Sequence, residues 1–203
     1  MLTAKGIPFV YYGDEIGMGD LCTQHISQMK DVQGIMEYEK RLAEGFSERE
    51  ALTFANEKSR DKSRSPMQWN QSPYAGFSSV EPWIAIQSEA QIINVELQQQ
   101  NEESLYQYYK KLILLRKEEK ALKYGNYTKL KQEGTIISFI REYENESILV
   151  VLNFGQELSE IPVPDEFEVI LSSAKGRVCS HNTFKLDPHE AVIMKGANHY
   201  ETN

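Results

Sequence analysis

The apolar period of this chain changes once, near Tyr124-Gly125, and the change divides it into two differently built parts. Before that point apolar residues recur at helical spacing between loops. After it, β-branched and aromatic residues come in short runs separated by turn residues. These runs are Tyr127 to Lys131, Ile136 to Tyr143, Ser147 to Phe154, Glu168 to Leu171, Thr183 to Leu186 and Ala191 to Lys195. The pair around Glu144-Asn145-Glu146 reads as a hairpin. The second part is therefore expected to be a compact antiparallel sheet or sandwich able to fold locally.

The first part opens on Ile7 to Tyr12, almost continuously apolar and bounded by Gly6 and Gly13. That is the pattern of a parallel strand covered on both faces. The first hundred residues hold no other candidate of the kind, so its neighbours are expected from chain preceding Met1. A helix follows from about Ser27 to Ala43, with Val32, Ile35, Met36 and Leu42 at helical spacing and Gly45 as its stop. Ser47 followed by Glu50 forms a capping-box pattern before Ala51, Leu52, Phe54 and Ala55. A third helix, capped by Asn101 or Ser104, runs to about Lys120; Leu105, Tyr108, Leu112 and Leu115 share one face, beside Tyr109 and Ile113, which reads as a core helix.

Between the second and third helices lies Ser59 to Asn70, Ser-Arg-Asp-Lys-Ser-Arg-Ser-Pro-Met-Gln-Trp-Asn. It suits neither an amphipathic helix nor an alternating strand and reads as an ordered loop. Arg60 and Arg64 carry planar forks able to grip a carboxylate or paired hydroxyls, with Asp61 close enough to orient one of them. Trp69, Phe77 and Trp83 stud the turn-rich stretch beyond; they could stack on sugars, but burial as loop anchors is the reading favoured here.

Composition removes several classes of function. A formal charge of -8 on 203 residues offers no basic stripe for nucleic acid. The longest apolar runs fall far short of the roughly 20 residues of a membrane helix, and the first of them, holding Pro8 and leading into Asp14 and Glu15, is not expected to act as a signal peptide. Cys22 and Cys179 lie far apart without metal-ligand spacing and are expected to be reduced thiols in a cytoplasmic protein. His25, His181, His189 and His199 show no ligand spacing and read as surface or packing residues, so no metal and no cofactor is expected.

Ser59 to Asn70 resembles the Arg-Asp-x-x-Arg-x-Pro-Met-Gln-Trp signature of the oligo-1,6-glucosidase and α-glucosidase branch of glycoside hydrolase family thirteen, within the α-amylase superfamily. Gly6 to Met18 is similar to the last barrel strand and following loop of that family, and further matches run through Ala75-Gly76-Phe77, Glu81-Pro82-Trp83, Ile93-Asn94-Val95 and Tyr108 to Lys117. The resemblance implies an α+β fragment. Residues 1–121 would be the last strand, long β-to-α loop and closing helix of a (β/α)8 TIM barrel, and residues 122–203 an antiparallel β-sandwich C-terminal domain. Met1 would match an internal position of the parent enzyme. The chain departs from the family where Tyr12-Gly13-Asp14-Glu15 replaces Gln-Gly-Glu-Glu, Lys62-Ser63 replaces Asn-Ala, and Asn70 replaces Asp, which leaves the preferred linkage open.

Retaining hydrolysis needs two carboxyl groups about 5–5.5 Å apart across the glycosidic bond. Asp14 and Glu15 are adjacent, and adjacent residues of an extended segment face opposite ways, so no catalytic residue is assigned to this chain. By the resemblance, the catalytic carboxylates come from earlier strands, Arg60 is the substrate-binding residue alongside an acidic residue from elsewhere, and Asp14, Glu15, Asp61 and Arg64 support the loop, Arg64 with Asp61 as its partner. The reaction implied is hydrolysis of short α-glucosides, isomalto- or malto-oligosaccharides, by the complete enzyme, the fragment alone being inactive. Two alternatives stand beside it: a stand-alone sugar-binding or interaction module of the same fold, and a fragment of a trehalose-6-phosphate hydrolase. The expected partner is the small α-glucoside, with neither nucleic acid nor membrane, and self-association through an exposed barrel edge is possible on physical grounds.

Overall fold

The computed structural model describes residues 1–177 and 183–197. Cys179, His181 and His199 lie outside the described residues. Packing divides the chain into two compact units, one of Met1–Phe9 with Lys110 onward and one of Val10–Tyr109.

In the first unit, β1 (Asn126–Glu133), β2 (Ile136–Tyr143), β3 (Glu146–Asn153), β5 (Glu168–Ser172) and β7 (Ala191–Ala197) form a sheet in the order β1-β2-β3-β7-β5, and β4 (Ser159–Pro162) pairs with β6 (Thr183–Leu186). Every pairing is antiparallel. Tyr143 pairs with Glu146, so Glu144-Asn145 is the two-residue turn, and Glu144 takes the left-handed conformation that such a turn requires. The layers explain the sequence of β3. Leu149 and Val151 face one way, into a core with Val192, Met194, Phe184 and Leu186; Ile148 and Val150 face the other, onto Phe139, Ile193, Ala121 and Leu122. A strand covered on both faces has no polar alternation, hence the unbroken run Ile148 to Leu152. Two layers of strands thus make the sandwich expected from the sequence, with α5 (Lys120–Tyr124) against its second face. The strand β4 was not expected; it is four residues long and ends on Pro162, a residue confined to edge positions.

The helix α4 (Leu105–Glu118) does not behave as a core helix. Leu112 and Leu115 pack against the second core cluster, while none of its residues is fully buried and Leu105, Ile113 and Leu114 stand exposed. Ile7 to Tyr12, read as a strand whose neighbours come from chain preceding Met1, stands uncovered here. The segment carries no strand pairing among the described residues, and Ile7 and Phe9 are each 82% exposed. The physical reason is direct: a parallel strand is buried only by flanking strands and covering helices, and all strands in the described residues are antiparallel and occupied with one another.

The second unit contains α1 (Val32–Ala43), α2 (Glu48–Lys58) and α3 (Val95–Gln100), joined by loops and short 3₁₀ turns. The expected long helix from Ser27 starts only at Val32, because the amides of Lys30 and Asp31 are drawn to the Asp61 carboxylate instead of into the helix. Val32 and Met36, two of the residues at helical spacing, are exposed, and the buried residue of α1 is Gly34. A Cβ there would run into Met29 Sδ and lie 2.9 Å from Ser59 Cβ and 3.2 Å from Ala55 O, so glycine is what lets α1 approach α2. The capping box at the start of α2 forms as read: Glu50 N donates to Ser47 Oγ, and Ser47 N donates to Glu50 Oε2 at 3.0 Å. The core of this unit is small, centred on Ile16, Met67 and Val95. Trp69, Phe77 and Trp83 do not anchor it; all three are exposed, Trp83 by 71%. Anchoring falls to the backbone, where Ala75 O accepts from both Trp69 N (2.9 Å) and Asn70 N (3.2 Å) within a turn whose residues Tyr74, Ala75 and Gly76 are all left-handed.

Candidate sugar-binding site

The Arg-rich loop is assembled from its acidic residues outward. After α2 ends at Ser59, Arg60–Ser63 makes a 3₁₀ turn whose first free amide, Asp61 N, donates to Ser59 Oγ at 3.1 Å. This turns the Asp61 side chain inward, where it is buried. Its Oδ2 accepts from Lys30 N at 2.6 Å and Asp31 N at 2.8 Å, which places Asp31. The Asp31 carboxylate then receives three bonds from one residue: Arg60 N on Oδ2 at 3.0 Å, and Arg60 Nε and Nη2 on Oδ1 at 3.1 and 2.7 Å. The Arg60 side chain is 55% exposed against 1% for Asp31. A buried carboxylate thus aims a guanidinium whose remaining donors open to solvent, an arrangement that fits binding of neighbouring hydroxyls. Hydrogen bonding from Arg60 holds the Asp31 carboxyl below its ordinary value against the opposing effect of burial, with the Arg64 charge adding to it.

Asp31 was not singled out in the sequence. It directly precedes a helix and reads as an N-cap, yet its side chain makes no cap bond. The partner foreseen for Arg64 also differs. Asp61 is occupied by two backbone amides and its Oδ1 has no hydrogen-bond partner, while Arg64 is exposed. The amides of Lys30 and Asp31, two and one residues before α1, reach the Asp61 carboxylate from 31 and 30 positions away, so tertiary packing took precedence over an arginine three positions on.

The second family segment curls into a 3₁₀ turn, Asp14–Ile16, between left-handed Gly13 and Gly17. Asp14 Oδ2 accepts from Tyr11 N at 3.1 Å and Glu15 Oε2 from Gly13 N at 2.8 Å, so both carboxylates are tied to their own loop. Burial, together with the nearby Asp14 and Glu15 carboxylates, pushes the Tyr109 hydroxyl above its ordinary value. The two motifs meet. Tyr11 Oη donates to Ser63 O at 3.0 Å and Tyr12 Oη to Ser65 O at 3.1 Å, with the two rings 4.7 Å apart. Beside them Asp14, Asp20, Lys62 and Ser63 line a cleft of about 100 Å³. Among the described residues no three of His, Cys, Asp and Glu gather as metal ligands. Cys22 is a free, exposed thiol, and His25 and His189 are exposed. No helix among the described residues is long and apolar enough to cross a membrane.

Helices and loops in one unit and an antiparallel sandwich in the other are what this geometry describes, and comparison with known proteins gives it a family. Residues 1–125 match the alpha-amylase catalytic domain, and residues 136–193 match the C-terminal domain of the alpha-amylase SusG. The chain belongs to the alpha-amylase family, glycoside hydrolase family thirteen, and corresponds to a C-terminal portion of such an enzyme. It is 32% identical over 203 residues to an oligo-1,6-glucosidase of Halalkalibacterium halodurans, covering 96% of this chain and 36% of that protein. It is 36% identical over 155 residues to the trehalose-6-phosphate hydrolase of Escherichia coli, covering 76% of this chain and 28% of that protein. The crystal structure of a Bacillus licheniformis trehalose-6-phosphate hydrolase superposes with a TM-score of 0.89 at 30% identity, over 97% of this chain and 37% of that one. An isomaltulose synthase from Klebsiella gives 0.84 at 32% identity, over 96% and 36%. The chain therefore spans about a third of the length of the relatives it matches.

Proposed function

We propose that this chain is the sugar-holding, non-catalytic part of an α-glucosidase-type glycoside hydrolase acting on short α-glucosides, isomalto- or malto-oligosaccharides, in a cytoplasmic setting. Residues 1–121 form the closing part of the barrel and 122–203 the C-terminal domain, a division supported by family matches that end at 125 and resume at 136. Arg60 binds substrate. The observation that carries this is the exposed guanidinium aimed by the buried Asp31 carboxylate, itself set by Asp61. Asp14, Glu15, Asp61 and Arg64 shape the loops around it. The chemistry belongs to carboxylates outside this chain: Asp14 and Glu15 each accept a main-chain amide of their own turn, which orients them toward the backbone and away from any shared anomeric centre. The overall negative charge favours a neutral sugar over nucleic acid as partner.

Calorimetry with maltose and isomaltose on the wild type and Arg60→Ala tests the binding role, and a chromogenic α-glucoside tests the chemistry. Weak binding abolished by Arg60→Ala, with no turnover, is the expected result. Turnover by the isolated chain, lost on changing Asp14 or Glu15, or binding indifferent to Arg60→Ala, would overturn it. The trehalose-6-phosphate hydrolases among the relatives support a second substrate, trehalose 6-phosphate, and including it in the titration separates the two.

A further inference from the structure

We propose that Arg116 and Arg141 are positioning residues that grip the main chain of residues 2–6 and thereby set the register in which Ile7 to Tyr12 leaves the antiparallel unit. Four of those five residues have their carbonyls captured. Arg116 Nη1 donates to Leu2 O at 2.6 Å and Ala4 O at 2.9 Å, and its Nη2 to Gly6 O at 2.6 Å. Arg141 Nη1 donates to Thr3 O at 2.7 Å. The rest of the Arg141 fork is held from behind, Nη2 by Leu122 O at 3.1 Å and Gly125 O at 2.8 Å, Nε by Gly125 O at 3.3 Å. Arg141 is fully buried, and its hydrogen bonds among the described residues go to carbonyls alone.

An interior guanidinium without a carboxylate is costly, and every lost acceptor adds to the cost. Burial accordingly holds the Arg141 pKa below its ordinary value, with the Arg116 charge acting in the same direction. Thr3 O is therefore not an incidental contact. Removing it would leave a buried donor unpaired, so the cation keeps the segment as firmly as the segment keeps the cation. Two features show a built arrangement. Gly125 stands where a Cβ would collide with Ala121 O and approach Glu142 O to 2.8 Å, which lets its carbonyl reach the fork. Tyr127 lies under the guanidinium, its ring centroid 5.3 Å away, and its hydroxyl accepts from Lys5 N at 2.9 Å, tying down the segment's one remaining residue.

All of these bonds read backbone positions, so their information is register. A shift of one residue would offer different carbonyls to the two forks, and downstream a one-residue slip in an extended segment exchanges the faces its side chains present. The clamp lies outside the sugar-binding reading and does not depend on it.

Limited trypsin digestion of the full chain, scored by mass for cleavage after Lys5, tests the clamp. The Lys5 side chain is exposed, its ammonium donating to Asn126 Oδ1 at 2.5 Å, a bond that Arg116→Met leaves in place, so faster cleavage in that variant reports release of the main chain. In Arg116→Met, cleavage after Lys5 is expected to quicken by about tenfold or more while the thermal midpoint of the sheet hardly moves, since only local opening is released. Arg116→Lys should restore protection only in part, because an ammonium cannot span three carbonyls. Tyr127→Phe should give an intermediate increase. If Arg141→Met fails to fold, Arg116→Met and Tyr127→Phe decide the matter. Wild-type cleavage after Lys5 as fast as in an unstructured peptide, an unchanged rate in Arg116→Met, or complete rescue by Arg116→Lys would each overturn the proposal.

Discussion

The antiparallel unit and the Val10–Tyr109 unit are held together by different physics. In the first, Leu149, Val151, Val192, Met194, Phe184 and Leu186 bury apolar surface from both layers, and the attraction is non-directional. In the second, the cluster of Ile16, Met67 and Val95 is smaller, other buried apolar residues such as Leu21, Met29 and Ile84 lie outside it, and polar side chains bracket distant backbone. Asn56 both donates to Thr23 O and accepts from Thr23 N, each at 3.0 Å; Gln98 Nε2 donates to Ile16 O at 2.6 Å while its Oε1 accepts from Tyr106 N at 3.0 Å; Gln87 Nε2 donates to Gly19 O. Burial stabilises without caring where a group points, whereas a hydrogen bond fixes direction. The unit that carries Arg60 is the one richer in directed bonds, among them those of Asp61 and Asp31 that set the Arg60 side chain.

That contrast is open to attack, first where the effect should be greatest. Leu186→Ala, at a fully buried position, should cost about 2–5 kcal/mol, read as a lower urea midpoint of the sheet's transition. A loss near zero would mean that the sandwich does not rest on its apolar layers. Asp61→Ala is the matching cut in the other unit. It strands the amides of Lys30 and Asp31 and should cost about 1–3 kcal/mol there, with the larger consequence that Arg60 loses its aim. Hydrogen exchange at Lys30 and Asp31 would report it, and unchanged protection would show that the bracket is not what holds the loop.

The same contrast explains what the sequence disclosed. Each ladder of the five-stranded sheet was readable from β-branched runs, because alternation and burial leave a mark on every second residue, and in β3 on every residue. The short β4 was missed because Pro162 argues against a strand wherever it is not known to sit at an edge. Arg60 was legible as a short motif, and so was the Ser47 capping box, whose partners lie three residues apart. Asp31 was not. Its pairing with Arg60 spans 29 positions and depends on Asp61 bonding amides 30 and 31 positions back, and no local period records a bond of that reach. Burial of Trp69, Phe77 and Trp83 was inferred from residue type alone, which says what a side chain would gain by being covered but not what is present to cover it.

A sharper comparison comes from Gly34, where the two helices of the polar unit touch. Gly34→Ala should cost about 1–3 kcal/mol, because Met29 can swing aside but Ser59 Cβ and Ala55 O belong to a helix end that cannot. If alanine were neutral or stabilising, α1 and α2 would be free to separate without penalty, and directed bonds alone would be holding that unit. Thermal unfolding followed by far-UV circular dichroism distinguishes the two.

The smallest effect is electrostatic and concerns the aiming pair itself. Because Arg60 lowers the Asp31 carboxyl in the folded chain, the contribution of the pair is complete above the unfolded carboxylate value of about 3.9 and is lost as pH falls through the lower folded value. Arg60 is itself shifted upward from an already high value by the same bond, so it does not titrate in the accessible range and the acid limb belongs to Asp31 alone. The Arg60 amide, which donates to Asp31 Oδ2, is a local reporter. Its nuclear magnetic resonance shift should move with an inflection below pH 3.9, and Asp31→Asn should erase the inflection. An inflection at or above the ordinary carboxylate value would mean that the guanidinium is not held by Asp31 in solution. The aim of Arg60 would then have to come from elsewhere, and the distinction between a unit that buries and a unit that points would lose its clearest case.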